Sequence, residues 1–261
     1  MLIDINAHVG HWPFKKMKYN NCDSLLGRMD KYGVDLSVVS NLNGIFYKDT
    51  QEANEELYEE LRSNKKFNNR FIPFAVLNPI YGGWKKDLDE CISRFGMKGV
   101  CLYPLYHDYE ITDPACIDLI KQVRDKGLVV VFTHRIVDSR QRSWMDISRE
   151  WTMKDIMPVI RAVPDVKYFI VNAANSMNVE QADNELIKNA DLLIDTSGRA
   201  LSDPAGLIKR FGRDKFAFGT HSPVLDYLTG MLRIESLKPD EADEATKEMI
   251  RSGNAARMLG I

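Results

Sequence analysis

The chain has 261 residues, of which 44% are hydrophobic and 28% charged, and its 35 Lys plus Arg against 37 Asp plus Glu give a formal charge of -2. That balance excludes a basic nucleic-acid surface and an acidic tail, leaving a globular chain long enough to bury a sizeable core without staples. The four cysteines, Cys22, Cys91, Cys101 and Cys116, form no C-x-x-C pair, so reduced thiols and a cytoplasmic protein are expected. The first residues lack a basic region followed by an apolar core, so no signal peptide is expected, and no apolar run approaches a membrane span.

Eight short apolar runs, several apolar nearly throughout, read as strands: 2–7, 34–41, 70–77, 97–103, 128–134, 166–172, 192–197 and 215–221. Helical patterns lie between them. Residues 50–67 place Ala53, Leu57 and Leu61 four apart. Residues 113–127 and 203–212 each open on Asp-Pro and close on Gly, and 239–259 reads as one or two closing helices. Eight such alternations predict an α/β fold, a single-domain (β/α)₈ TIM barrel over 1–261 with an extra C-terminal helix; an open doubly wound sheet is the alternative.

A barrel gathers its chemistry at the C-terminal ends of the strands. The residues expected there are Asn6 and His8, Asn41 and Asn43, Asn78, Tyr103 with Tyr106 and His107, His134 with Arg135, Asn172, Asp195 with Ser197, and His221. Strand parity puts His8 on one face with Asn6 and Asp4, His134 with Val130 and Phe132, and His221 with Ala217 and Gly219. If those faces point inward, His8, His134 and His221 meet over the mouth, and three neutral imidazoles plus water form a catalytic zinc set. In that scheme Asp195 orients a ligand or acts as a base, and His107 reaches in as an acid or a substrate contact. The 135–151 loop carries Arg135, Arg140, Arg142 and Arg149, and Arg135, beside a strand end, suits an anionic substrate. Trp12 and Phe14 either wall the pocket or pack beneath a loop. Lys98, at the opposite end of its strand, reads as structural.

These segments resemble the amidohydrolase-related branch of the TIM-barrel metal-dependent hydrolases along nearly the whole chain. "DINAH" is similar to its D-x-H-x-H strand, "GMKGVCLYPLYHDYEITDP" to its fourth strand and loop, and "LVVVFTH" to the fifth strand with its terminal histidine. "DVKYFIVNAA", "FAFGTHSPV" and "GNAARMLGI" resemble the sixth strand, the eighth strand and the closing helix. Three positions depart from the pattern: Asn6 and Asn172 stand where the branch has histidine, and His221 where it has a metal-binding aspartate.

The resemblance implies an enzyme, with a homodimer as the branch often forms. A binuclear site is not expected; the site is either a single divalent metal, zinc by the ligand types, on His8, His134 and His221, or metal-free. Asn6, Arg135, Asn172 and Tyr103 are the expected substrate contacts. The expected function is hydrolysis of a small carboxylated lactone or amide by activated water. The alternatives are a decarboxylase of a carboxylated aromatic and a non-catalytic ligand-binding barrel.

Overall fold

The computed structural model describes residues 1–140, 142–173, 177, 179–198 and 203–261. Its strands are β1 (Ile3–Val9), β2 (Leu36–Asn41), β3 (Phe71–Pro73), β4 (Ala75–Val76), β5 (Gly99–Leu102), β6 (Val129–Thr133), β7 (Lys167–Val171), β8 (Leu192–Asp195) and β9 (Phe216–Ala217). The helices are α1 (Cys22–Tyr32), α2 (Thr50–Arg62), α3 (Lys65–Asn68), α4 (Trp84–Ser93), α5 (Pro114–Asp125), α6 (Met153–Ala162), α7 (Gln181–Asn189), α8 (Pro204–Phe211), α9 (Tyr227–Glu235), α10 (Glu244–Glu248) and α11 (Asn254–Leu259).

Every strand pairing is parallel, in the orders β1-β2-β3 and β4 through β9. The two sheets are parts of one ring. Pro73, which has no N–H to give the ladder, splits a single stave into β3 and β4. The break is stitched by Phe74 N to Val39 O at 2.9 Å and Lys98 N to Pro73 O at 2.9 Å. Across the other seam Ile5 N donates to Phe218 O (3.0 Å), His221 N to Asn6 O (2.7 Å) and His8 N to Ser222 O (2.7 Å). Eight staves therefore close into the TIM barrel expected from the alternation.

The Asp-Pro starts work as anticipated. The side chains of Asp113 and Asp203 accept from Ala115 N and Gly206 N, capping α5 and α8, each with Pro in its first turn. Apolar residues pack in two layers. Ile3, Ile5, Val129, Val131, Phe169 and Ala217 belong to the barrel interior, while Val130, Phe132, Ile170 and Phe216 pack outward against the helices. At the N-terminal end the interior is plugged by Ala255 and Met258 of α11. That helix is anchored by Asn254, whose amide donates to the carbonyls of Arg213 and Phe216, both at 2.9 Å.

Candidate functional site at the barrel mouth

Alternation along β1 is broken once. The β1–β2 register shifts between Asp4 and Ala7. Ile3 and Ile5 pack inside, whereas Ala7 and Val9 pack outside. Asp4 therefore does not share a face with His8. It is buried against Thr220, accepting from the Thr220 hydroxyl at 2.6 Å and from the Thr220 and Asn6 amides at 3.0 Å. Burial raises its carboxyl pKa to about 7 despite those bonds.

His221 does share a face with the interior residue Ala217, as expected, and it meets His8. The two rings stand edge to face with centroids 5.0 Å apart and His8 Nε2 lying 3.3 Å from His221 Nδ1. His221 Nε2 is 2.7 Å from the carbonyl oxygen of Ile136, which can only accept, so that nitrogen carries the hydrogen. In the neutral ring Nδ1 is then an acceptor and receives His8 Nε2–H, so the Asn6 oxygen 3.3 Å from the same nitrogen is a contact and not a hydrogen bond. His8 Nδ1 in turn accepts from Ser40 Oγ at 3.0 Å. Burial holds both rings neutral, lowering His8 well below the usual imidazole range and His221 to about 4.

A second branch runs from Asn6. Its amide nitrogen donates to Asp195 Oδ2 at 2.7 Å and Ser197 Oγ at 3.1 Å, and its oxygen lies 3.3 Å from His221 Nδ1. Asp195, fully buried, also accepts from Ser197 Oγ at 2.5 Å and from the Asn172 amide at 2.8 Å. Burial raises its pKa, opposed by the bonds from Ser197, Asn6 and Asn172. Gly219 makes room for this carboxylate, since a Cβ there would lie 2.5 Å from Asp195 Oδ2. Asn172 Nδ2 donates to Arg135 O at 2.8 Å. Asn172 and His221 both hold left-handed backbone, φ 54° and 56°, which non-glycine residues adopt rarely and which clusters at functional sites.

The mouth is covered. Ile136 and Val137 drop into the interior cluster from the loop after β6. Trp12 packs edge to face with Phe14, Phe46 and Tyr106 above it, which resolves the two readings of Trp12 and Phe14 in favour of packing beneath loops. Arg135 is buried and ion-paired with Asp138 at 3.4 Å and Glu150 at 3.6 Å. A cavity of about 20 Å³ lies between Tyr103, Thr133, His134, Arg135, Val137 and Trp151, room for a water but not for a substrate. The Tyr103 hydroxyl is buried beside Ser40 and Thr133 without a hydrogen-bond partner among the described residues.

Two expected placements are corrected. His134 does not meet His8 and His221. Val130 and Phe132, its partners in parity, pack outward, and the charge that acts on the His134 ring most strongly is Asp155 of α6. The run from Val129 to Phe132 is apolar on both faces, so alternation there carries no information about which face is inside. His107 does not reach the mouth: its Nε2 donates to Gly44 O at 3.0 Å and its ring lies between Tyr103 and Tyr109.

The three-histidine metal set is therefore not assembled. Among the described residues no group of three or more His, Cys, Asp or Glu side chains is placed to hold an ion. The residues present do not fit a bound metal, because the imidazoles that do meet spend their nitrogens on each other, Ser40 and Ile136. Three contributors were not picked out from the sequence. Ser40 shares an inward face with Val38, a parity signal that was available. Ile136 acts through its backbone. Arg233 reaches from α9 to the carbonyls of Thr196 and Gly198, both at 2.5 Å. Neither of the last two has a sequence signal.

No protein-family model matches the chain, and no curated protein matches it in sequence. Solved structures do. The chain shares its TIM-barrel fold with them. A 2,6-dihydroxybenzoate decarboxylase from Rhizobium superimposes with a TM-score of 0.74 at 15% identity, covering 99% of this chain and 98% of that one. A dihydroxybenzoic acid decarboxylase from a Polaromonas species, with bound manganese and the inhibitor 2-nitroresorcinol, gives 0.75 at 14% identity, covering 99% and 96%. A 5-carboxyvanillate decarboxylase from Sphingomonas paucimobilis gives 0.70 at 15% identity, covering 100% and 99%. These neighbours overturn the expectation of a lactone or amide hydrolase: these three structures, which share the architecture end to end, are of decarboxylases of carboxylated aromatics. The metal among them is manganese, not the zinc expected from ligand types.

Proposed function

We propose that the protein is a decarboxylase of a small carboxylated aromatic. The observation that carries this reading is the His221 Nε2–H, buried at the barrel mouth and satisfied by the carbonyl of Ile136, in a loop whose Ile136 and Val137 side chains occupy apolar space. An aromatic acid that displaces this segment exchanges like for like. Its ring replaces the two aliphatic side chains, and its carboxyl end meets the freed N–H and the Arg135 guanidinium. The Tyr103 hydroxyl offers a contact to a ring substituent.

The chemistry follows from burial. A carboxylate pays a large desolvation cost in an apolar site, and carbon dioxide does not. The ring carbon bearing the carboxylate takes a proton from His221 Nε2. The bond to the carboxyl carbon then breaks, its electron pair restores the aromatic ring, and CO₂ leaves, with one proton consumed per turnover. In the same step His8 Nε2 gives its proton to His221 Nδ1 and Ser40 Oγ gives its own to His8 Nδ1, so neither ring is left as an imidazolate. Solvent reprotonates Ser40, and proton exchange with solvent after product leaves returns His221 to the Nε2–H form. Asp195 touches no substrate: through Asn6 and the Asn172 amide it positions the network. His107, tied to Gly44, has no part in this step.

The substrate is small and anionic, and the four buried free thiols suit the cytoplasm. CO₂ release from a panel of hydroxylated benzoates tests the reading. Release that disappears in His221→Phe supports it, and no release from any member sinks it. The small cavity and the internally satisfied polar groups favour a second reading, a non-catalytic ligand-binding barrel. Tight binding of a panel member without turnover would select that one.

A further inference from the structure

We infer that this barrel mouth works without a divalent metal, its ion position taken over by a protein hydrogen-bond network. This rests on, and deepens, the decarboxylase reading. A bound ion needs lone pairs from several donors aimed at one point. Two imidazoles meet here, and neither offers one. His221 keeps its hydrogen on Nε2, facing Ile136 O at 2.7 Å, so its lone pair is on Nδ1. There it receives His8 Nε2–H at 3.3 Å, which leaves the His8 lone pair on Nδ1, facing Ser40 Oγ at 3.0 Å. The opposite polarity would have His221 Nδ1 donate as well, making a buried imidazolium, which desolvation opposes.

The other candidate donors are committed too. Asn6 has turned its amide nitrogen to Asp195 at 2.7 Å, and a neutral amide oxygen is a weak ligand. Asp195 already accepts from the Asn172 amide, Asn6 and Ser197. His134 follows residues that pack outward. An ion entering between His8 and Asp195 would have to break the His8–His221 and Asn6–Asp195 bonds, and ring rotation of His221 would leave the Ile136 carbonyl buried without a donor. The network supplies what the chemistry needs in place of an ion: a proton held at a fixed atom, His221 Nε2, in a water-poor mouth.

The test uses the full chain, freed of metal by chelator, equilibrated with excess Mn²⁺ or Zn²⁺, desalted, and assayed for retained metal. Melting temperature with and without the ion and the ¹⁵N shifts of the imidazoles are read in parallel. The expected result is less than about a tenth of an equivalent retained, an unchanged melting temperature, and both rings in the Nε2–H form. About one equivalent retained with a raised melting temperature, lost in both His8→Asn and His221→Asn, would overturn the inference. CO₂ release is measured on the same stripped protein. Release there supports the inference, and release that appears only after metal is added overturns it. No release in either state, with no metal retained, refutes the decarboxylase reading and upholds this one.

Discussion

The two ends of the barrel are closed by different means. At the N-terminal end Ala255 and Met258 of α11 fill the interior with aliphatic side chains, held in register by one buried asparagine. At the C-terminal end Asn6, His8, Ser40, Asp195, Ser197 and His221 fill the same circle of strands with polar groups bonded to one another. The apolar plug stabilises through contact and burial area. The polar plug must first recover the desolvation of every group in it, and it keeps two residues in left-handed backbone. A fold that needed only a lid would use the first solution twice. The second lies at the end where the proposed reaction takes place.

Acid separates the two ends most strongly. His8, His134 and His221 are held neutral in the fold, the last two with pKa near 4, whereas the unfolded chain protonates them near 6.5. Their stabilising contribution is complete above pH 6.5 and is lost as the pH falls through about 4. At about 1.4 kcal/mol per pKa unit His221 alone contributes on the order of 3 kcal/mol. Asp4, raised to about 7, has the opposite sign: its contribution is complete below 3.8 and is lost as the pH rises through 7. With His107, also lowered by burial, four imidazoles oppose the raised carboxyls of Asp4 and Asp195, so denaturant midpoints should fall from pH 6.5 to pH 4. A flat profile would mean that the mouth histidines titrate normally and the polar plug is open.

Removing Asp195 is next in size. Asp195→Ala leaves the Asn6 amide, the Ser197 hydroxyl and the Asn172 N–H without their acceptor, at a cost of about 3 kcal/mol or more. Equilibrium unfolding measures it, and a loss below that of a surface substitution would break the network as described. Met258→Ala, at the other end, should cost about 2–4 kcal/mol as a cavity in an aliphatic plug, with CO₂ release intact in the folded fraction. Ser40→Ala should cost only about 1 kcal/mol, because it removes one hydroxyl from His8. Its larger effect should be on turnover, with kcat falling and KM unchanged, since Ser40 serves the proton relay and not the substrate.

Much of the fold was legible in the sequence, and the reasons are local. The Asp-Pro caps at α5 and α8 and the eight apolar runs depend on nearest neighbours, and each of those runs forms a stave. The site was legible only in part. His221 faces inward because glycine and alanine precede it on a face that only small residues fit. His134 was misplaced because β6 is apolar on both sides, and Asp4 because a single register shift in β1 reverses the alternation. The backbone carbonyl of Ile136, which settles the His221 tautomer, has no residue type to read.

The most direct test of the account is CO₂ release by wild-type protein and His221→Phe on an active hydroxylated benzoate, with both variants shown to be folded by their melting curves. Wild-type turnover with a loss of at least about a hundredfold in the variant is the result predicted for the group that donates the proton. Equal turnover in the two would contradict it.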